Sequence, residues 1–438
     1  MKQVDTILHG RWVLPVNESD DLLQHHSIII DDGRISDIIQ TEQAKQSFTA
    51  NIEKHYSKHL LMPGLINAHT HSPMNLFRGM ADDLALDEWL NQHIWPAEAS
   101  WVSSQFVHDG SQLAIAEMLR SGTTCFNDMY FFPDVTARVA RDIGMRACIG
   151  LIAIDFPSKW ASNANEYIDK GLALRDHFRS DSLIHTPFAP HAPYTVSDEP
   201  LSRIRVLADE MDLPVHIHLH ETAYEIEQSL KLYGKRPLAR LHELGLVSPN
   251  LMAVHFTQAT DEEIALLAES GSHVVHCPES NLKLASGFCP VQKLMDAGVN
   301  VALGTDGAAS NNDLSMLGEM HTASLLAKGI STDPTALSAM QTVRMATING
   351  ARALGIDQIT GSLEPGKYAD LIAVDFSSLE AQPVYNPVAN LVYSSSREQI
   401  SDVWVAGRHL LKDRELTTLD EDELTRKCQQ WNDKIKSS

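Results

Sequence analysis

Two histidines one residue apart, His69 and His71, close a short apolar run at 65–68 of a 438-residue chain. On an extended strand, side chains two apart face the same way. Both imidazoles would therefore project from one face at a spacing that one metal ion can bridge. In a chain of 21 histidines, an isolated pair of this kind is equally well read as a polar strand end. The other titratable groups give it weight through where they fall. Asp128, His191, His218 with Glu221 three residues on, His255, His276 and Asp306 all sit at or just beyond apolar runs, whereas unrelated core histidines would scatter along them. His69, His71, His218 and Asp306 together offer three imidazole nitrogens and one carboxylate oxygen. That donor set suits zinc, iron, cobalt or manganese. A metal so held lowers the pKa of a bound water towards about 7 and makes it a nucleophile at neutral pH. The chemistry in view is hydrolysis or hydrolytic deamination. Asp306 would accept the water's proton, Glu221 would donate one to the leaving side, and His255 would orient the nucleophile or stabilise charge.

Within His216-Ile217-His218-Leu219-His220 the three histidines share one strand face. Only one can stand at the height of the metal. His218 is the choice, because it places Glu221 just past the strand; His216 then falls to the deeper core and His220 to the rim.

The elements that must position these groups follow from texture. Residues 1–60 read as a meander of short strands with a turn at Asp31-Asp32-Gly33. Apolar runs then alternate with amphipathic segments, giving eight candidate strands at 65–71, 123–128, 145–154, 183–188, 213–219, 250–256, 272–276 and 299–305. Helices are expected at 107–120, 161–178, 197–211, 223–244, 260–269, 312–329 and 335–353, with Ser197, Thr222 and the Thr260/Glu263 pair as caps. This pattern predicts an α/β chain, a (β/α)₈ TIM-like barrel over 63–360 with its active site at the C-terminal strand ends. Residues 1–62 and 361–438 are expected to pair into one small β-sandwich domain, closed by a polar helix at 420–435. A doubly wound sheet would want a Gly-rich first turn, which is absent after residue 68. The stretch Gly361 to Lys367 imitates a phosphate loop, but Tyr368 stands where a Ser or Thr should be.

Composition narrows the partners. There are 35 Lys and Arg against 57 Asp and Glu, a net charge of −22, which disfavours nucleic acid and favours a small-molecule ligand. Five cysteines without a C-x-x-C pair form neither a disulfide framework nor a thiolate zinc site. With no leader-like N-terminus and no long apolar stretch, the expectation is a cytoplasmic protein without membrane partners, as a homo-oligomer by the commonest prior.

The stretches 63–71, His218-Leu219-His220-Glu221, Ala253-Val254-His255, Leu303 to Gly307 and the C-terminal Gly361-Ser-Leu-Glu-Pro-Gly-Lys resemble the amidohydrolase superfamily. Further stretches at 74–80, 88–90, 95–98, 190–194 and 280–284 are similar to its 5′-methylthioadenosine/S-adenosylhomocysteine deaminase family. The resemblance implies one divalent metal ion, zinc first, on His69, His71, His218 and Asp306. It implies a nucleoside substrate whose ribose hydroxyls meet Glu98 and whose body meets His191, with Glu221 also touching the base. For the 5′ substituent, Lys159 is the cation at hand, Arg141 and Arg146 lie near in sequence, and Phe156 and Trp160 are either pocket walls or ordinary loop aromatics. Other branches of the superfamily, such as guanine or pterin deaminases and triazine hydrolases, and a non-catalytic scaffold are the alternatives.

Overall fold

The structure is a computed structural model that describes residues 1–437. Its N-terminal strands, β1 (Lys2–Val13), β2 (Leu23–Asp31), β3 (Arg34–Gln40) and β4 (Phe48–Pro63), do not form the expected meander. The pairs β1–β2 and β2–β3 are antiparallel, but β4 runs parallel to β1. A parallel pairing needs a crossover. The helix Thr41–Ser47 supplies it, burying Ala44 against Val4, Ile7 and Ile29.

Ten strands follow: β5 (Leu65–Thr70), β6 (Thr123–Asp128), β7 (Arg146–Ile149), β8 (Leu151–Ala153), β9 (Ile184–His185), β10 (Phe188–Pro190), β11 (Val215–Leu219), β12 (Leu251–His255), β13 (His273–His276) and β14 (Asn300–Leu303). They make two parallel sheets, β5-β6-β7-β9 and β14-β13-β12-β11-β10-β8. The expected third and fourth strands are each broken in two, one piece in each sheet. Gly150 marks the first break. Its N–H donates to Asp128 O at 2.8 Å, and a Cβ there would stand 2.6 Å from that same oxygen, so only glycine allows the approach. Pro187, which has no N–H to give a ladder, marks the second. At the far side, Asp306 N donates to His69 O at 3.0 Å, and a Cβ on Gly304 would lie 2.8 Å from His69 N.

The chain then returns to the first sheet. β15 (Leu371–Asp375) pairs antiparallel with β4, and β16 (Ile400–Val405), β17 (Arg408–Lys412) and β18 (Glu415–Leu416) continue it. The result is one eight-stranded sheet drawn from both chain ends, with Leu8, Ile28, Ile35, Leu61, Leu371 and Trp404 in its core. The phosphate-loop look-alike is an internal turn: Gly366 N bonds Ile35 O, and Lys367 Nζ donates to Ser362 Oγ at 2.6 Å.

Most expected helices form. The segment 223–244 divides at Gly234, which has a φ of 69°, into Ala223–Tyr233 and Pro237–Glu243. The segment 335–353 divides into Ala339–Met345 and Ile348–Ala353, and the last helix spans Glu421–Lys436. Thr222 caps Glu225 N, and Thr260 with Glu263 forms a full capping box, while Ser197 sits at its N-cap without a side-chain bond. Unforeseen is a run of short turns over the strand ends: a 3₁₀ turn Ser72–Phe77, a π-turn Trp89–Ile94 and the helix Trp95–Trp101. Among the described residues, no helix is long and apolar enough to cross a membrane, and all five cysteines are free.

Candidate metal centre

Strand β5 carries His69 near its end and His71 just beyond it, β11 carries His218, and Asp306 follows β14. Their metal-facing atoms converge. His69 Nε2 and His71 Nε2 each lie 3.2 Å from Asp306 Oδ1, and His218 Nε2 lies 3.2 Å from His69 Nε2.

The far side of each ring fixes its tautomer. His71 Nδ1 is 2.5 Å from Met129 O, and His218 Nδ1 is 2.8 Å from His191 O. A carbonyl only accepts, so both Nδ1 atoms carry the proton, and in the neutral rings both Nε2 atoms present lone pairs. His69 Nδ1 faces His216 Nε2 at 2.9 Å. Lone pairs and a carboxylate packed this closely repel unless a cation lies between them. In a tetrahedral site with bonds of about 2.0–2.1 Å, neighbouring donors stand about 3.3–3.4 Å apart. The donor set therefore fits a divalent ion in chemistry and in spacing.

The chain holds Asp306 firmly. Its Oδ2 accepts the hydroxyls of Ser280 and Ser310 at 2.7 and 2.8 Å, and its Oδ1 accepts Gly307 N at 2.8 Å. Beside the cluster, His255 Nδ1 meets Asn281 Oδ1 at 2.9 Å, and His255 Nε2 faces Glu221 Oε2 at 3.7 Å. Burial pushes the Glu221 carboxyl up, and the nearby Asp306 adds to the shift after His255 opposes it. A protonated Glu221 is a candidate acid. Glu225 accepts the backbone N–H groups of His220 and Glu221 at 3.0 and 2.7 Å, which fixes the loop that bears the acid.

His191 turns Nδ1 to Thr195 Oγ1 at 2.9 Å. Burial, then the neighbouring His71 and His69, push it down to about 3, so the ring is neutral near pH 7. Glu98, in the first turn of Trp95–Trp101, is pushed up to about 7 by burial, against the opposing effect of Tyr130. The buried Tyr130 hydroxyl beside it makes no hydrogen bond of ordinary geometry. His71, Glu98, His191, His218, Glu221, His255 and Asp306 all line one chamber. It shares Trp95, Glu98, Phe131 and Ile154 with a cavity of about 520 Å³ that reaches Phe156 and Lys159.

Several expected placements are corrected. His220 leaves the shared face: with a φ of 56° it turns away, and its Nε2 accepts Leu238 N at 3.1 Å. His216 is deep, as expected, but it is the partner of His69. Trp160 is no pocket wall; it is buried against Tyr167, 5.5 Å between ring centroids. Arg146 is fully buried in an ion pair with Asp370, Nε to Oδ2 2.6 Å, and Arg141 pairs with Asp142 on the surface. Asp128 accepts Ser72 N at 2.6 Å, pinning the loop after His71, and lies outside the metal cluster. His276 does not line the chamber.

The sequence pattern of the amidohydrolase family matches residues 60–410. The chain belongs to the amidohydrolase family. Within it, the chain is 53% identical over 433 residues to the 5-methylthioadenosine/S-adenosylhomocysteine deaminase of Saccharophagus degradans, covering 99% of this chain and 97% of the relative. It is 45% identical to the 5′-deoxyadenosine deaminase of Methanothermobacter thermautotrophicus, over 91% and 92% of the two chains. A crystal structure of an adenosine deaminase from Xanthomonas campestris with bound zinc superposes with a TM-score of 0.99 at 51% identity, covering 100% of both chains. The fold of this amidohydrolase is accordingly of the TIM-barrel type. Ser280, Ser310, Asn281, Glu225 and His216 are the amidohydrolase's site-supporting groups that pattern reading did not single out for a role; no periodicity marks a hydroxyl or amide as the partner of a distant side chain.

Proposed function

We propose that this amidohydrolase hydrolytically removes the exocyclic amine from the adenine ring of 5′-methylthioadenosine and S-adenosylhomocysteine, giving the inosine-type product and ammonia. The observation that carries the reading is the convergence of three imidazole nitrogens and the Asp306 carboxylate, next to the buried Glu221–His255 pair. Full-length identity to named deaminases supports the substrate class.

His69, His71, His218 and Asp306 would hold one divalent ion, zinc first, in keeping with the zinc-bound relative. When bound, it supplies a water acidified towards about 7 as the nucleophile. The remaining work belongs to the chain. Glu221 donates its proton to ring nitrogen N1, which makes C6 electron-poor. His255 Nε2, its Nδ1 proton directed at Asn281, accepts from the attacking water; once protonated, it stabilises the charge on the oxygen joined to C6. Asp306 passes the water's second proton to the departing amine, for which one of its two serine donors must rotate away, and His255 then returns its proton to the facing Glu221, restoring both groups. Glu98 accepts from the ribose diol and His191 meets the nucleoside. Phe156, about half exposed, offers an apolar wall to the 5′ group. Lys159, now donating to Ser100 O at 2.9 Å, is the cation a homocysteine carboxylate could reach.

In the same proposal residues 63–360 are one closed (β/α)₈ catalytic barrel, and 1–62 with 361–438 are one β-sandwich domain. The hydrogen bond from Asp306 N to His69 O and the β4–β15 pairing support these boundaries. Free, mostly buried cysteines suit a reducing cytoplasm. Exposed Leu230 and Tyr233, three apart on the helix Ala223–Tyr233, offer an apolar face for homo-oligomer formation. Ammonia release by zinc-loaded protein from methylthioadenosine, S-adenosylhomocysteine, adenosine and guanine tests the function. Preference for the first two is expected; turnover of guanine with silence on every riboside would overturn it.

A further inference from the structure

On the sheet built from both chain ends, outside the chamber of the barrel site, three further donors meet. His9 on β1 lies directly opposite His55 on the parallel strand β4, and Glu53 is two residues before His55 on the same face. Their donor atoms all lie within 4.8 Å of one another. His9 Nε2 is 2.8 Å from Glu53 Oε1, His55 Nε2 is 3.5 Å from the same oxygen, and the two rings stack with centroids 4.5 Å apart.

The hydrogen bonds behind His9 set its chemistry. Ser27 Oγ lies 2.6 Å from His9 Nδ1 and gives its own proton to Thr41 Oγ1 at 3.1 Å. When Ser27 donates to Thr41 it accepts from His9, and the proton of the neutral ring is then on Nδ1. Nε2 is then a lone pair directed at a carboxylate oxygen, an arrangement that repels unless a cation is shared. An imidazolium would also satisfy it, but only by charging a ring that is 5% exposed. A divalent cation bridging Nε2 and the carboxylate resolves the contact with the ring neutral. The hydroxyl behind Nδ1 is the kind of outer partner that orients a metal-binding histidine.

We propose that His9, Glu53 and His55 form a second metal site, selective for a zinc-class divalent cation and distinct from the barrel centre. Two nitrogens and one oxygen leave a coordination position for water. His55 and Glu53 are largely exposed, so the ion enters from solvent, while His9 is the buried anchor. Lys45, the cation on the covering helix Thr41–Ser47, is bonded to Glu42 Oε1 at 2.8 Å and does not occupy the position. A metal here adds a side-chain link between β1 and β4 to the ladder that already pairs them.

The test is zinc content. Full-length protein and its His55→Ala and Glu53→Ala variants are equilibrated with micromolar free Zn²⁺, and bound zinc per chain is read by plasma mass spectrometry. The wild type is expected to hold one zinc more than either variant, with deaminase activity equal in all three. Asp306→Ala, which disables the barrel centre, is expected to keep this additional zinc. Equal zinc in wild type and both surface variants overturns the proposal, and so does loss of the additional zinc in Asp306→Ala. Because the readout is a difference in stoichiometry, it stands apart from whether the barrel centre deaminates nucleosides.

Discussion

His216 touches no substrate-facing surface, yet its replacement by leucine should weaken zinc binding by about one to two orders of magnitude. With His69 Nε2 turned towards the metal position, His69 Nδ1 carries the proton and donates to His216 Nε2 over 2.9 Å. The proton of His216 then sits on its own Nδ1, which has no hydrogen-bond partner among the described residues. Leucine fills most of the volume and accepts nothing, so a donor is stranded on a ring with 0% exposure. An unsatisfied buried donor costs about 1–3 kcal/mol, or about 5- to 150-fold in an equilibrium constant. Loss of an outer partner of a metal-binding histidine costs about 10- to 100-fold in affinity by direct comparison, and the two routes agree. Competition for zinc with a chromophoric chelator measures the dissociation constant, and turnover per bound zinc is followed alongside. The His216→Gln variant, which keeps an acceptor, should recover most of the affinity. Unchanged zinc affinity in a folded His216→Leu protein would refute the reasoning, because the hydrogen bond would then do nothing for the metal.

Glu221→Gln should bind zinc as the wild type does and lose about 10²- to 10⁴-fold in turnover, the range for one proton-transfer group; retained activity removes Glu221 from the acid role. Glu98→Ala gives up two charge-assisted hydrogen bonds of about 1.5–3 kcal/mol each. Its kcat/KM on ribosides should fall by at least two orders of magnitude while any slow turnover of free adenine is spared, and an equal loss on both would sink the ribose contact. Asp370→Asn strands the buried Arg146 charge and should cost about 3–5 kcal/mol. It would be read as a lower urea midpoint, partly restored by the Arg146→Met/Asp370→Asn pair; a double variant no better than the single would mean that the ion pair is not the cause.

How far the sequence could be read depends on how far each partner lies along the chain. His69 and His71, or His218 and Glu221, declare themselves because a strand alternates and then stops, so position along the run tells which groups reach the end. The break of one strand at Gly150 was not legible: glycine in an apolar run marks many things, and here it marks an approach by Asp128 O. Arg146 looked available for a substrate carboxylate because its true partner, Asp370, is 224 residues away. The small sheet was recognisable as drawn from both chain ends, but not its parallel β1–β4 pair, since Thr41–Ser47 buries a single residue and shows no amphipathic stripe. The turns over 72–101 stayed hidden for a related reason, as 3₁₀, π and α pieces of six or seven residues are too short for a period to be counted.

The alternation that made His218 identifiable also had to be broken for the site to work. A strand that simply continued past His218 would keep His220 on the same face, crowding the metal with a fourth imidazole. Instead the chain enters left-handed backbone at His220, and again at His255 and Asp306, with φ of 56°, 74° and 63°. Each such residue costs of order 1–3 kcal/mol when it is not glycine. Glycine would relieve that strain at any of the three, but it would remove a side chain the arrangement uses: His220 to receive Leu238 N, His255 to face Glu221, Asp306 to complete the donor set. Strain of this kind therefore stands at the ends of β11, β12 and β14, where the chain must turn away while the side chain stays aimed. It is the backbone counterpart of the three imidazole lone pairs held against a carboxylate: both are unfavourable in the protein alone, and a bound cation offsets the second. On that account metal binding should be linked to stability at these strand ends more than anywhere else in the barrel.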